Sequence, residues 1–208
     1  GLSGSGFLIG RDGLDTSALI RRLQQCIQDG TPVTLIGASF GFVHLLDGLA
    51  QAEITLSLPI GSRLMDAGGF KGRSRIVTRT ELDDAIAHRL GIPSHSSVNL
   101  LGMTELASQF YDGVLVSQDA TMRRKTNPPW TKTRVLDPRT MLLAPAHQIG
   151  LLCHWDLANL ERPIAVLTDD QGVWDEHGWT VLGRAKGAES KGCSLTVDSM
   201  LEGGHRNG

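Results

Sequence analysis

Three short stretches carry side chains that suit nucleotide chemistry. In "GMTEL" a hydroxyl and a carboxylate, Thr104 and Glu105, stand side by side just after Leu101 and Gly102. A hydroxyl can hold a phosphate oxygen, and Mg²⁺ prefers hard carboxylate oxygens together with substrate phosphates. The same pair also reads as a helix start, with Thr104 capping and Glu105 favoured by the helix dipole. In "MDAGGFKG" neither Gly68 nor Gly69 has a Cβ, so backbone can approach a flat ring or a phosphate there. A turn that needs positive φ asks for the same residues. In "LTDDQG" two carboxylates close an apolar run. One of them can accept hydrogen bonds from ribose hydroxyls, although an Asp- and Gly-rich turn has the same composition. Asp169 and Asp170 are neighbours on a strand and point to opposite faces, which argues against a shared acid–base role.

Other chemistries find less support. "GASFG" has the spacing of a nucleophile elbow with Ser39 in the serine position, on a strand-to-helix turn. No well-placed Asp and His follow it. "HWD", residues 154–156, lacks a second ligand pair, and no Cys-x-x-Cys or His-x-x-x-His occurs, so structural zinc is not expected. The opening "GLSGSG" has neither the lysine of a phosphate loop nor a strand before it, and reads as a flexible terminus. Lys71, Arg73, Arg75 and Arg79 read as a solvated basic face. Arg123, Arg124 and Lys125 read as a solvated linker, or as a contact for the phosphates of coenzyme A.

Alternating elements must position these stretches. "TSALIRRLQQCIQD" places Leu19, Leu23, Cys26 and Ile27 at helical spacing, and Gly30 ends that helix. "PVTLIG" is too short for a helix and reads as a buried strand. "ASFGFVHLLDGLA" follows as a helix with Ser39 as N-cap and Phe40, Val43, Leu46 and Leu49 on one side. "SRLMDAGG" is a strand, "TRTELDDAIAHRLGI" a helix capped at Thr80 with Leu82, Ile86 and Leu90 on one face, and "SVNLLG" the next strand. This order predicts an α/β fold, a mostly parallel sheet flanked by helices. In such sheets ligands lie at the carboxyl ends of strands, where "DAGGFKG" and "GMTEL" both fall. Beyond Asp112 short strand-like runs, "RVLDP", "IGLLCHW" and "PIAVLTDD", predict a small antiparallel β subdomain. The expected divisions are residues 1–125, an α/β subdomain; 126–182, the small β subdomain; and 183–208, a hinge and tail.

The balance of 20 basic against 22 acidic residues, a net charge of −2, argues against nucleic-acid binding. No apolar run approaches the ~20 residues of a membrane span, and nothing at the start resembles a signal peptide. Three widely spaced cysteines fit a reducing compartment better than a disulfide framework, so a cytoplasmic location is expected.

Taken in order, "MDAGGFKGRSR", "GMTELASQFYD", "LTDDQG" and "VLGRAKGAESKGCSL" resemble the acyl-protein synthetase (LuxE-type) family. These are adenylate-forming enzymes related to the phenylacetate–CoA ligases. The likeness runs from about residue 30 to about 197, and the combination is specific although each motif alone is weak. It implies an N-terminal-domain portion of the adenylate-forming fold that binds ATP and Mg²⁺. The implied reaction is attack of a carboxylic (fatty) acid on ATP to give acyl-AMP, then transfer to a protein thiol, with an acyl reductase or transferase as a possible partner. By resemblance Gly68 and Gly69 lie along adenine, and Leu101 and Gly102 stand where the family has Tyr-Gly. Thr104 and Glu105 contact the phosphates, Glu105 also the magnesium. Asp170 holds the ribose, Arg184 belongs to the Gly-Arg hinge, and Cys193 is the acylated cysteine, with Lys191 and Arg184 near it in sequence. Leucine at 101 covers a base without aromatic stacking. The family's Ser/Thr/Gly-rich phosphate loop lies before the first matched motif, and the lid with its catalytic lysine is not recognisable. The expectation is therefore the C-terminal part of a longer enzyme or a reduced form of one. A CoA ligase and a non-catalytic nucleotide- or partner-binding module are the alternatives.

Overall fold

The computed structural model describes residues 4–10, 13–68 and 77–185. They form two compact units, one ending at Ser97 and one beginning at Val98.

The first unit opens with a two-residue antiparallel pair, β1 (Ile9–Gly10) and β2 (Gly13–Leu14). Helix α1 (Thr16–Gln28) follows, its first turn capped by Asp15, which accepts from the Ala18 amide at 2.8 Å. Leu19 and Leu23 are buried, and Ile27 packs against the same core. Strand β3 (Thr34–Ala38) and strand β4 (Arg63–Ala67) pair in parallel, with α2 (Ser39–Gln51) between them in sequence. The expected apolar face of α2 is the observed one: Phe40, Val43, Leu46 and Leu49 are all buried. Ser39 is the first helical residue rather than the cap, which falls on extended Ala38. Helix α3 (Arg79–Leu90) buries Leu82, Ile86 and Leu90. Its cap is Thr78, not Thr80, because only Thr78 stands three residues before Glu81. The Thr78 hydroxyl accepts from the Glu81 amide at 3.2 Å and the Glu81 carboxylate accepts from the Thr78 amide at 2.7 Å.

A 3₁₀ turn over Ser94–Ser96 leads into β5 (Ser97–Leu101), which pairs antiparallel with β6 (Phe110–Tyr111) in the second unit. One short helix, α4 (Val114–Ser117), precedes four strands: β7 (Thr131–Leu136), β8 (Gly150–Asp156), β9 (Ala165–Asp175) and β10 (Gly178–Arg184). They form the expected antiparallel sheet in the order β10-β9-β8-β7. β10 runs on through Gly183 and Arg184, which sequence alone places in the hinge and tail. Phe110, Val135, Leu152 and Trp179 centre the core of this unit, and the His154 ring lies 5.1 Å from Phe110 and 5.2 Å from Trp179.

The two outer strands of the sheet are tied by one side chain. The Asn127 side-chain oxygen, Oδ1, accepts from the Thr133 hydroxyl of β7 at 2.8 Å and from the Trp179 indole of β10 at 3.1 Å. Beside it Lys125 exchanges both backbone hydrogen bonds with Trp179. Gly178, with φ of 137°, lets this segment approach, since a Cβ there would stand 2.5 Å from the Lys125 carbonyl oxygen.

Candidate functional site

In the second unit Leu101 is half-buried against the core and Gly102 is exposed. A Cβ on Gly102 would meet only ordinary contacts, the nearest at 3.6 Å to Gln109. The fold by itself therefore does not require glycine at 102. Thr104 and Glu105 follow in an exposed turn closed by the Leu106 amide on the Met103 carbonyl at 3.1 Å, not at a helix start.

Side chains from the segment after β8 hold this turn. Asn159 donates to the Glu105 carbonyl at 2.9 Å and accepts from the Ala107 amide at 2.8 Å. Arg162 donates to the Thr104 carbonyl. Asp156, fully buried, accepts from the Ser108 amide at 2.8 Å, the Ser108 hydroxyl at 2.9 Å and the Ala158 amide at 3.0 Å. Burial would raise the Asp156 carboxyl; the Ala158 amide and the Ser108 hydroxyl and amide outweigh it and keep the group below its ordinary value. Among the described residues, no hydrogen bond or ion pair engages the side chain of Thr104 or Glu105. Sequence reasoning missed Asp156, Asn159 and Arg162. The one signal for them is an Asp-x-x-Asn spacing at the end of a strand-like run, which by itself marks a turn.

The structure brings Asp170 and Arg184 together. They are register partners on β9 and β10, with Arg184 Nε 3.4 Å from Asp170 Oδ1. A β-bulge between Val181 and Gly183 sets that register, and Gly183 takes φ of 133°. Asp169 is exposed, while Asp170 is half-buried and turned toward its partner.

In the first unit Gly68 directly follows β4 with φ of 84°, so positive φ does favour glycine there. Gly69 and Cys193 lie outside the described residues, as do Lys71, Arg73, Arg75 and Lys191. Arg79 is no solvated cation. It bonds Asp66 at 2.5 Å, Asp83 at 2.7 Å and the Ser97 hydroxyl at 2.6 Å. Burial works against its charge, but Asp66 and Asp83 together raise its pKa above the ordinary value. The Ser39 hydroxyl donates to the other oxygen of Asp66 at 2.6 Å, and no histidine is among its partners. The elbow-like "GASFG" thus supplies a buried structural bond.

The second basic run is also committed. Arg123 pairs with Asp112 at 2.7 Å and Arg124 with Asp175 at 2.6 Å. The Lys125 ammonium donates to the Asn99 carbonyl and side-chain oxygen, each at 3.0 Å. Neither a solvated linker nor a free phosphate contact describes them. A cleft of about 500 Å³ lined by Lys125, Lys132, Arg134, Trp174 and His177 contains none of the residues expected around the nucleotide.

The donor set of the 104–105 turn fits a magnesium–nucleotide. Mg²⁺ is usually held through one or two carboxylates plus substrate phosphates. Glu105 offers one such carboxylate beside the Thr104 hydroxyl, and among the described residues no three His, Cys, Asp or Glu side chains gather into a metal cage.

Comparison with known proteins adds a family and a fold. The family model described as acyl-protein synthetase, LuxE, matches residues 5–202. A long-chain-fatty-acid–luciferin-component ligase of Vibrio harveyi is 25% identical over 205 residues, 94% of this chain and 52% of that protein. The chain spans about half the length of the curated relatives it matches. Among solved structures, ATP-bound MatB from Rhodopseudomonas palustris aligns with a TM-score of 0.57 at 16% identity, over 83% of this chain and 33% of that one. A long-chain-fatty-acid–CoA ligase from Archaeoglobus fulgidus aligns with a TM-score of 0.57 at 12% identity, over 84% and 38%. At these identities the structural likeness carries the fold alone.

Proposed function

Because this chain belongs to the acyl-protein synthetase, LuxE, family, we propose that it supplies nucleotide-side residues for ATP-dependent activation of a long-chain carboxylic acid. A carboxylate oxygen of the acid bonds to the α-phosphorus of ATP, the α–β phosphoanhydride bond breaks, and pyrophosphate leaves with its electron pair. A thiolate then bonds to the acyl carbon of acyl-AMP, the acyl–phosphate bond breaks, and AMP leaves. Catalysis of this kind is mostly charge neutralisation and in-line positioning. Mg²⁺ bound with the nucleotide supplies charge neutralisation at the phosphates.

Thr104 donates its hydroxyl to a phosphate oxygen and Glu105 gives its carboxylate to the metal. Gly68 and Gly69, with Leu101 and Gly102, form the adenine side, and Asp170 meets the ribose hydroxyls. Arg184, beside Asp170, holds that carboxylate in place. The acceptor thiol is Cys193, in a cytoplasmic protein that passes the acyl group to a reductase or transferase. One observation carries the reading. The Thr104–Glu105 turn has its backbone held by buried Asn159 and by Arg162 while both side chains stay exposed and unengaged.

The test is ATP–pyrophosphate exchange with a series of fatty acids, on the protein at its natural length. Glu105→Gln is expected to slow exchange by ~10²-fold, the usual cost of one preorganised charge-stabilising group. Exchange that is unchanged in Glu105→Gln would remove the reading.

A further inference from the structure

Asn159 and Arg162, which carry no role in the proposed reaction, act on the turn that does. Asn159 is buried, and both ends of its amide are spent on main chain: its nitrogen on the carbonyls of Glu105 and Pro163, its oxygen on the Ala107 amide. Arg162 is exposed, yet its guanidinium closes on the Thr104 carbonyl. Four of the five residues from Thr104 to Ser108 thus have a backbone group held by Asp156, Asn159 or Arg162. Asp156 and Ser108 anchor the far end, where Ser108 also accepts from the Trp130 indole at 2.8 Å.

This pattern exceeds what the turn needs for folding. An exposed turn can leave its carbonyls to water at little cost, since water replaces a lost partner there. Here instead the carbonyls of the two residues with unengaged side chains each receive a side-chain donor. A carbonyl held on both sides of a peptide fixes the ψ and φ that aim the next side chain. We propose that Asn159 and Arg162 are positioning residues that aim the Thr104 hydroxyl and the Glu105 carboxylate at a magnesium–triphosphate. The inference rests on the reading that Glu105 meets the metal. Groups that orient a metal ligand without touching the metal typically matter 10–100-fold in metal affinity.

The experiment titrates Mn²⁺ into the natural-length protein with a non-hydrolysable ATP analogue and counts free metal by electron paramagnetic resonance. Asn159→Asp keeps the acceptor for Ala107 and deletes both donations. Arg162→Met keeps the aliphatic stem and deletes the donor at an exposed site, so it tests the idea even if Asn159→Asp does not fold. Both are expected to weaken the metal–nucleotide complex about 10-fold or more, with Arg162→Lys recovering part of the loss and the melting temperature of Arg162→Met unchanged. A role in folding alone would lower the melting temperature and leave the affinity of the folded protein as it was. Glu105→Gln separates the two levels. If it weakens the complex while Asn159→Asp and Arg162→Met do not, the positioning role is wrong and the site stands. If the parent binds no metal–nucleotide, or Glu105→Gln leaves binding unchanged, the site reading falls and this inference with it.

Discussion

Asp66 and Arg79 join the end of one element to the start of another, carboxylate to guanidinium at 2.5 Å, one the penultimate residue of strand β4 and one the first residue of α3. Asp66 is almost wholly buried, and Asp83 and Ser97 complete the shell around the guanidinium. Gly68 therefore follows directly on a buried polar knot.

Arg79→Met should destabilise the first unit, by up to roughly 3–5 kcal/mol, because it removes the guanidinium that bonds two buried carboxylates. Arg79→Lys keeps the charge but not the two-pronged contact to Asp83, so it should lose less. Urea unfolding of the three proteins checks the order; equal midpoints would show that the knot contributes nothing net.

His154 sets a pH dependence. Burial pushes it down to about 4, against the pull of the Asp156 charge. The unfolded chain takes up this proton below about 6.5 and the folded one only near 4, so the unfolded state binds more protons between them. Stability should be full above pH 6.5 and fall as pH drops toward 4, by about 3 kcal/mol at the rate of ~1.4 kcal/mol per pKa unit. Unfolding midpoints across this range should be flatter in His154→Leu. An identical slope in parent and variant would assign it to other groups.

Leu101→Tyr should tighten binding of the ATP analogue by roughly 0.5–1.5 kcal/mol if an aromatic ring regains stacking on adenine. Leu101 is half-buried against the Phe110 cluster, so the same substitution can instead disturb packing. Calorimetry together with a melting curve tells these apart, and unchanged affinity in a folded variant places residue 101 away from the base.

Synthetic acyl-AMP supplied to the protein should leave a hydroxylamine-labile thioester on Cys193. Cys153 is a poor acceptor, since burial raises its thiol pKa with only partial relief from Arg134. Cys26 is half-exposed on α1, beside buried Leu23. Mass spectrometry locates the label, and labelling that survives Cys193→Ser excludes the assignment.

What periodicity can state, the sequence made plain. Leu82, Ile86 and Leu90 recur at helical spacing and are buried; the short runs after Asp112 became an antiparallel sheet. Partner choice was not legible. Arg79 reads as one of four surface cations until Asp66, Asp83 and Ser97 are known to surround it. Arg123, Arg124 and Lys125 look like a linker because Asp112, Asp175 and Asn99 are spread along the chain. Thr78 was within reach, since the Thr-x-x-Glu spacing fits it and not Thr80. At the site the sequence names Thr104 and Glu105. It says nothing of the side chains that hold their carbonyls, because those donate to main chain, which every residue has.

Gly178 matters beyond the contact it permits. The outer edge of β10 would offer unpaired amides and carbonyls to any passing extended chain, and the backbone of Lys125 occupies that position. A side chain at 178 would collide with the Lys125 carbonyl and lift the segment away. The consequence is self-association: Gly178→Val would free the Trp179 backbone groups that Lys125 now occupies as a template for recruiting further copies, so its defect should worsen with protein concentration.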